Sequence, residues 1–345
     1  MNYCDMIREA QLLTHVPFPW QRTQWQHLTR LYRNEQLPHA FLVSGNSGLG
    51  KSLFVNKFAR FMLCKEPLEL LACDKCKNCL RFGGAAIHPD ILSVQSEEGK
   101  RDIVIDQVRS LIEFVAYTSH TGGVKIVIIA GAHHLNLNSA NALLKTLEEP
   151  TSNRYFFLIT DMPGSLPATI RSRCQRLLFA APSKKSANQW LTKLLPNENA
   201  VRVKRLLNAA QYRPLNAMGL AQQDILEEQD QFLEKLCLLS SGGIAPQSVV
   251  AMAVKIGELS AINYLVKTSS ALIKSLITLE QPVGADLNNL HQLFLKQRAP
   301  LTLQIFKLLM YYDEALTAYK HMTSSSNPNG QLMIETLIWH WHELT

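Results

Sequence analysis

The stretch Phe41-Leu42-Val43-Ser44-Gly45-Asn46-Ser47-Gly48-Leu49-Gly50-Lys51-Ser52 constrains the fold more than any other part of the chain. Phe41 to Ser44 reads as a short buried strand, the glycines as a turn, and Lys51 to Leu63 as a helix. Gly45-x4-Gly50-Lys51-Ser52 fits the phosphate-binding loop pattern in full. Glycines let backbone N–H groups close around phosphates, and the start of a helix adds positive potential. Lys51 can reach outer phosphates, and the Ser52 hydroxyl can ligate Mg²⁺. Gly45, Gly48, Gly50, Lys51 and Ser52 are therefore the candidate nucleotide-binding residues.

A loop of this kind becomes hydrolytic only with an acid that holds Mg²⁺ and another that activates water. The next apolar strand, Lys125-Ile126-Val127-Ile128-Ile129, should deliver them, but it is followed by Ala130-Gly131-Ala132-His133-His134. The loop is intact and the acids are missing. The two histidines read as loop residues beside the phosphate loop, pointing different ways, and not as metal ligands.

Further strands are read at Ile91–Val94, Tyr155–Thr160 and Gln175–Phe179. Helices alternate with them at Ile105–Tyr117, Asn136–Glu149 (stopped by Pro150) and Leu166–Arg171. This alternation implies a parallel sheet. Residues 3–36 read as helical, broken by Pro17 and Pro19, with Trp20 and Trp25 as core anchors. Residues 183–222 and 223–342 read as all-helical, with a loop at 324–330.

Directly after the loop's helix comes Cys64-x8-Cys73-x2-Cys76-x2-Cys79. Short Cys-x2-Cys turns bring thiolates to the spacing that tetrahedral Zn²⁺ needs. Lys75 and Lys77 would ease thiolate formation. An iron–sulfur run would need a cysteine where Gly83 stands, and free structural thiols would be flanked by fewer polar residues than Asp74, Lys77 and Asn78. The expectation is one structural Zn²⁺ on Cys64, Cys73, Cys76 and Cys79 in a reducing compartment.

The net charge of +7 is uneven. Residues 1–180 carry 20 Lys and Arg against 15 Asp and Glu, residues 181–222 carry 7 against 1, and residues 223–345 carry 8 against 12. The change of sign near Asp224 marks a candidate domain boundary. No apolar window approaches the roughly 18 residues of a membrane span, and the first ten residues lack a secretory pattern, so a cytoplasmic protein with no membrane partner is expected.

The phosphate loop, the cysteine insertion, Asn141-Ala142-Leu143-Leu144-Lys145-Thr146-Leu147-Glu148-Glu149-Pro150 and Arg171-Ser172-Arg173-Cys174 together resemble the delta-prime subunits of bacterial DNA polymerase III clamp loaders, within the AAA+ class. The resemblance is close over residues 17–180 and architectural beyond. It implies an α/β AAA+ P-loop domain (1–180) with a zinc module at 64–79, a small helical lid domain (181–222) and an all-α collar domain (223–345). It implies a place in a five-membered ring with motor (gamma/tau) subunits and a delta subunit, acting on a sliding clamp and primed DNA. It also implies that Arg173 projects into a neighbouring subunit's ATP site. Thr160 matches a position that senses a γ-phosphate. A sensor arginine of the motor subunits falls near Arg213, with Pro214 at the aligned position. The expected function is a non-hydrolysing accessory subunit of the polymerase holoenzyme, in which ATP or ADP could bind without turnover. The alternatives are an active AAA+ motor subunit, which the missing acids oppose, and a zinc-dependent DNA-binding protein with a vestigial phosphate loop.

Overall fold

A computed structural model of the chain describes residues 17–83, 88–97, 100, 102–222, 225–282, 284–323 and 329–344. The helical reading of residues 3–16, parts of the charged stretch 96–102, Asp224 and most of the 324–330 loop lie outside the described residues. The chain divides into two compact units, Met1–Gln222 and Gln223–Thr345.

The first unit opens with α1 (Arg22–Arg33) and continues through β1 (Ala40–Ser44), α2 (Lys51–Leu63), α3 (Lys77–Gly83), β2 (Ile91–Val94), α4 (Ile105–Ala116), β3 (Lys125–Ala130) and α5 (Leu137–Glu148). β4 (Arg154–Thr160), α6 (Ala168–Arg173), β5 (Gln175–Leu178), α7 (Lys184–Leu194), α8 (Ala200–Ala209) and α9 (Pro214–Gln222) complete it. The short helix before the last strand starts and ends two residues later than the sequence suggests. Pro167 is its N-cap, so Ser172 and Arg173 belong to its final turn.

Five strands form one parallel sheet in the order β2-β3-β4-β1-β5. Alternation along each strand separates two cores. Phe41, Val43, Ile126, Ile128, Phe157 and Ile159 face the layer of α1 and α2, where Trp25, Phe54, Phe58 and Phe61 pack. Leu42, Val127, Ile129, Phe156 and Leu158 face the α4–α5 layer, with Leu111, Leu143 and Leu147. Runs apolar on both faces are what a buried parallel sheet requires. Trp25 is a core anchor, and its indole N–H also donates to Leu70 O at 3.0 Å.

Asp90, just before β2, is fully buried. It accepts from His120 N (2.7 Å), Thr121 N (2.9 Å) and Thr121 Oγ1 (2.6 Å), which pins the turn before β3. Burial alone would raise its pKa, but the donors of Thr121, His120 and Ser119 prevail and hold the carboxyl below its ordinary range. Its contribution to stability is therefore present above the unfolded carboxylate pKa and is lost as pH falls through the lower folded value. Asp90→Ala should cost about 2–4 kcal/mol in denaturant unfolding at neutral pH, because buried donors lose a charged acceptor. The gap to wild type should close below about pH 4; a gap independent of pH would assign the loss to packing.

The second unit is helical: α10 (Ile225–Ser240), α11 (Pro246–Ile256), α12 (Glu258–Thr278), α13 (Ala285–Lys296), α14 (Leu301–Thr323) and α15 (Gly330–Leu344). Its core is built on Phe232, Leu265, Leu272, Phe294 and Trp341. Among the described residues no single helix is long and apolar enough to cross a membrane.

Candidate functional site

The phosphate loop joins β1 to α2 at the C-terminal edge of the sheet, where β4 is the neighbour of β1 on one side and β5 on the other. Gly48 and Gly50 have left-handed φ of 74° and 78°. A side chain at Gly48 would collide with Asn216, and one at Gly50 with the Phe18 ring, so strain and space both demand glycine.

Lys51 is 5% exposed. Its ammonium group donates to Gly45 O (2.8 Å) and Asn46 O (2.7 Å) and pairs with Asp161 Oδ1 at 2.6 Å. An ammonium group has three protons, and all three have protein acceptors here. The loop's outer face is covered as well. Trp20 Nε1 donates to Leu49 O (3.1 Å), and Gln21 Nε2 donates to Leu49 O (2.8 Å) and Gly50 O (3.1 Å). From α9 and the turn before it, Arg213 Nη1 donates to Ser47 Oγ (3.3 Å) and Leu215 N to Gly48 O (3.2 Å). Phe18 and Trp20 stack at 5.0 Å, and Trp190 of α7 packs edge-on against both. Arg213, one residue from the aligned sensor position, is therefore the arginine that meets the loop.

β3 ends at Ala130, and Gly131 turns the chain into a short 3-10 turn, so no carboxylate emerges there. Thr160 is buried at the end of β4; its hydroxyl lies 3.1 Å from His133 Nδ1 and accepts from Met162 N (3.0 Å). The two histidines do not diverge as expected: their ring centroids are 4.1 Å apart. Asp161 is the residue the sequence reading missed. Its signal was its place, directly after Thr160 on the strand that adjoins β1, but that adjacency depends on the strand order.

The four cysteines converge. The Sγ atoms of Cys64, Cys73, Cys76 and Cys79 all lie within 4.8 Å of one another, and Cys73 and Cys79 are 3.9 Å apart. A tetrahedron with Zn–S bonds of about 2.3 Å has sulfur–sulfur edges of about 3.8 Å, so the donor set fits Zn²⁺. Cys64 caps α2, a Leu68–Leu71 bridge turns the chain back, and α3 carries Cys79. Asn78 is buried but satisfied, donating to Leu63 O at 2.8 Å. Arg60 ties the module to α2 through Asp74 (2.9 Å) and Cys79 O (3.3 Å). The Cys73 thiol is pushed down by the backbone N–H groups of Lys75 and Cys76. Cys76, despite burial that acts to raise it, is brought to about 6 by backbone donors and neighbouring thiols. Burial raises Cys64 and Cys79. Backbone N–H groups of the turn favour the thiolates of Cys73 and Cys76.

Arg173 lies at the end of α6, partly exposed. Its Nη2 pairs with Glu148 Oε1, and its Nη1 donates to Thr169 O at 3.0 Å. Glu148 ends α5, so the pair joins the Asn141–Pro150 and Arg171–Cys174 segments that the sequence reading singled out separately. Cys174 is buried, and burial pushes its thiol to about 11.

A parallel sheet in this order, with a phosphate loop after its β1 strand, defines a P-loop fold of the AAA+ class. The sequence profile described as DNA polymerase III, delta subunit matches residues 20–183. The chain is 31% identical over 329 residues to DNA polymerase III subunit delta' of Pseudomonas aeruginosa, covering 95% of this chain and 98% of that one. It is 35% identical over 221 residues to subunit delta' of Haemophilus influenzae (63% and 65% covered). It is also 29% identical over 229 residues to subunit tau/gamma of Haemophilus influenzae (65% and 33% covered). The chain belongs to the delta' family of DNA polymerase III subunits.

Proposed function

We propose that the chain is the non-hydrolysing member of a clamp-loader ring in the cytoplasm. It sits there with gamma/tau motor subunits and a delta subunit, helps place a sliding clamp on primed DNA, and lends Arg173 to a neighbour's ATP site. The observation that carries the non-hydrolysing part is the end of β3, where Ala130 and Gly131 offer no acid to Mg²⁺ or water. The identity to both delta' and tau/gamma sequences supports a place among clamp-loader subunits. The arginine role is supported by its position: a guanidinium on a short terminal turn, held by an exposed carboxylate that a phosphate can replace. In the second unit, Leu303, Phe306 and Met310 lie exposed at helical spacing on one side of α14, which suits a helix that packs against other subunits. The zinc module, on this reading, is structural, since four sulfurs leave no open position on the metal.

The test is turnover by the isolated chain. It should hydrolyse ATP no faster than a Lys51→Ala variant; a rate in the ordinary enzyme range of about 1–10³ s⁻¹ that needs Lys51 would refute the reading.

Nucleotide binding is a separate matter. Gly45, Gly48, Gly50, Lys51 and Ser52 keep the chemistry of a nucleotide site, with Thr160 at its edge, yet Asp161 stands where an outer phosphate would meet Lys51. Asp161→Ala should free one ammonium proton and remove a competing negative charge. ADP or ATP affinity, measured with a fluorescent analogue, should then rise about 10-fold or more. No gain in a folded Asp161→Ala protein would mean that Trp20, Gln21 and the α9 contacts close the loop by themselves.

A further inference from the structure

We propose that the groove between α7 and α8 binds single-stranded DNA through its phosphate backbone, with a base seated against Tyr212. This surface lies outside the phosphate loop, the cysteine module and the Arg173 turn, and the inference does not rest on the trans-acting arginine.

The groove encloses about 360 Å³. Lys184 and Lys185 stand on the α7 bank and Lys204 on the α8 bank. Leu207, fully buried, lies beneath them, and Tyr212 also lines the groove. Among the described residues no carboxylate pairs with any of the three lysines. The only acid in residues 181–222 is Glu198, and it pairs with Arg202 at 3.1 Å. Three ammonium groups without carboxylate partners along two banks give the groove a positive potential that attracts an anion. Lys184 Nζ is 5.2 Å from the centre of the Tyr212 ring, so cation and ring already share the site. Tyr212 and Gln211 both hold left-handed φ, 56° and 53°, in the turn that carries the ring.

These features match the way single strands are held: a cationic track for phosphates, and an aromatic or apolar surface for bases. An acidic peptide would satisfy the lysines but would leave the Tyr212 ring without a flat partner. A volume of this size takes about one nucleotide, and a duplex, whose bases are paired and stacked, could not offer a base to Tyr212.

The experiment is fluorescence anisotropy of the full chain with a labelled dT oligomer about 12 nucleotides long. Three phosphate contacts predict binding about 20-fold weaker at 200 mM than at 50 mM salt. Combining Lys184→Gln, Lys185→Gln and Lys204→Gln should weaken binding at 50 mM salt about 10-fold or more, with zinc content and circular dichroism unchanged. Lys193→Gln, exposed on α7 but outside the groove, should leave binding as in wild type. Tyr212→Asn keeps a residue that tolerates left-handed backbone and should cost about 5-fold or more through lost stacking. The proposal is overturned by any of four results: no binding at 50 mM salt, an unchanged affinity in the triple variant, equal affinity for a blunt duplex, or displacement by polyglutamate as readily as by unlabelled oligomer.

Discussion

Replacing Arg173 with alanine should leave this chain folded and metal-loaded while the ring it joins loses activity. The Arg173–Glu148 pair is partly exposed on both sides, and such a pair contributes less than about 1 kcal/mol. The fold therefore has little to lose. If Arg173 reaches a neighbour's ATP site, as proposed, that site has much more to lose, because a guanidinium supplied in trans is worth about 10³–10⁵ in rate in the strongest cases. Only one of several sites in a reconstituted assembly would be stripped, so DNA-stimulated ATPase activity should fall in part, and clamp loading should fall further if the sites act together. Arg173→Lys should rescue poorly, because a point charge cannot reproduce the planar fork that reaches two phosphate oxygens. Normal ATPase activity and normal loading with Arg173→Ala would reduce the residue to a tie between α5 and α6.

The second large effect belongs to the metal. Protein purified without chelator should contain about one equivalent of zinc, and a Cys76→Ser, Cys79→Ser double variant should contain none. Structural zinc contributes directly to folding free energy. Cys64, Cys73 and Cys79 are buried against one another, with Ala72 and Cys76 beside them, so the small cluster they form is centred on the metal position. Loss of zinc should lower the melting temperature of the first unit by about 10 °C or more. Limited proteolysis should then cut within residues 64–83 first. Zinc retained by the double variant would mean that other ligands hold it.

Much of this was legible in the chain. Strand periodicity located all five strands to within a residue or two, since a buried parallel strand must be apolar on both faces. Helix boundaries followed their caps: Asn136 receives Ser139 N at 2.9 Å at the start of α5, and Pro150 follows its end. The cysteine spacing foretold the convergence of the four sulfurs, because Cys-x2-Cys turns fix distances locally. The absent acids after β3 were equally visible. The short helix before β5 was misplaced because Pro167 can start a helix as readily as interrupt one. The part played by backbone N–H groups at Cys73 and Cys76 was not legible, because a backbone amide carries no sequence signal.

What the chain by itself determined is the local chemistry: a phosphate loop, a thiol cluster, an exposed-type arginine turn and an α/β order. What only the tertiary structure decided is which of these groups meet. Lys51 finds Asp161, 110 positions away, because β4 lies beside β1 in the sheet. Arg213 reaches Ser47, 166 residues apart, because α9 folds back over the loop. Glu148 meets Arg173 because α5 and α6 end at the same edge. Spacing within a strand or a turn is set by covalent geometry and can be read in order. Contacts across the sheet are set by the strand order and by burial on each face, so an intact loop in the sequence becomes, in the fold, a loop whose lysine is already fully bonded.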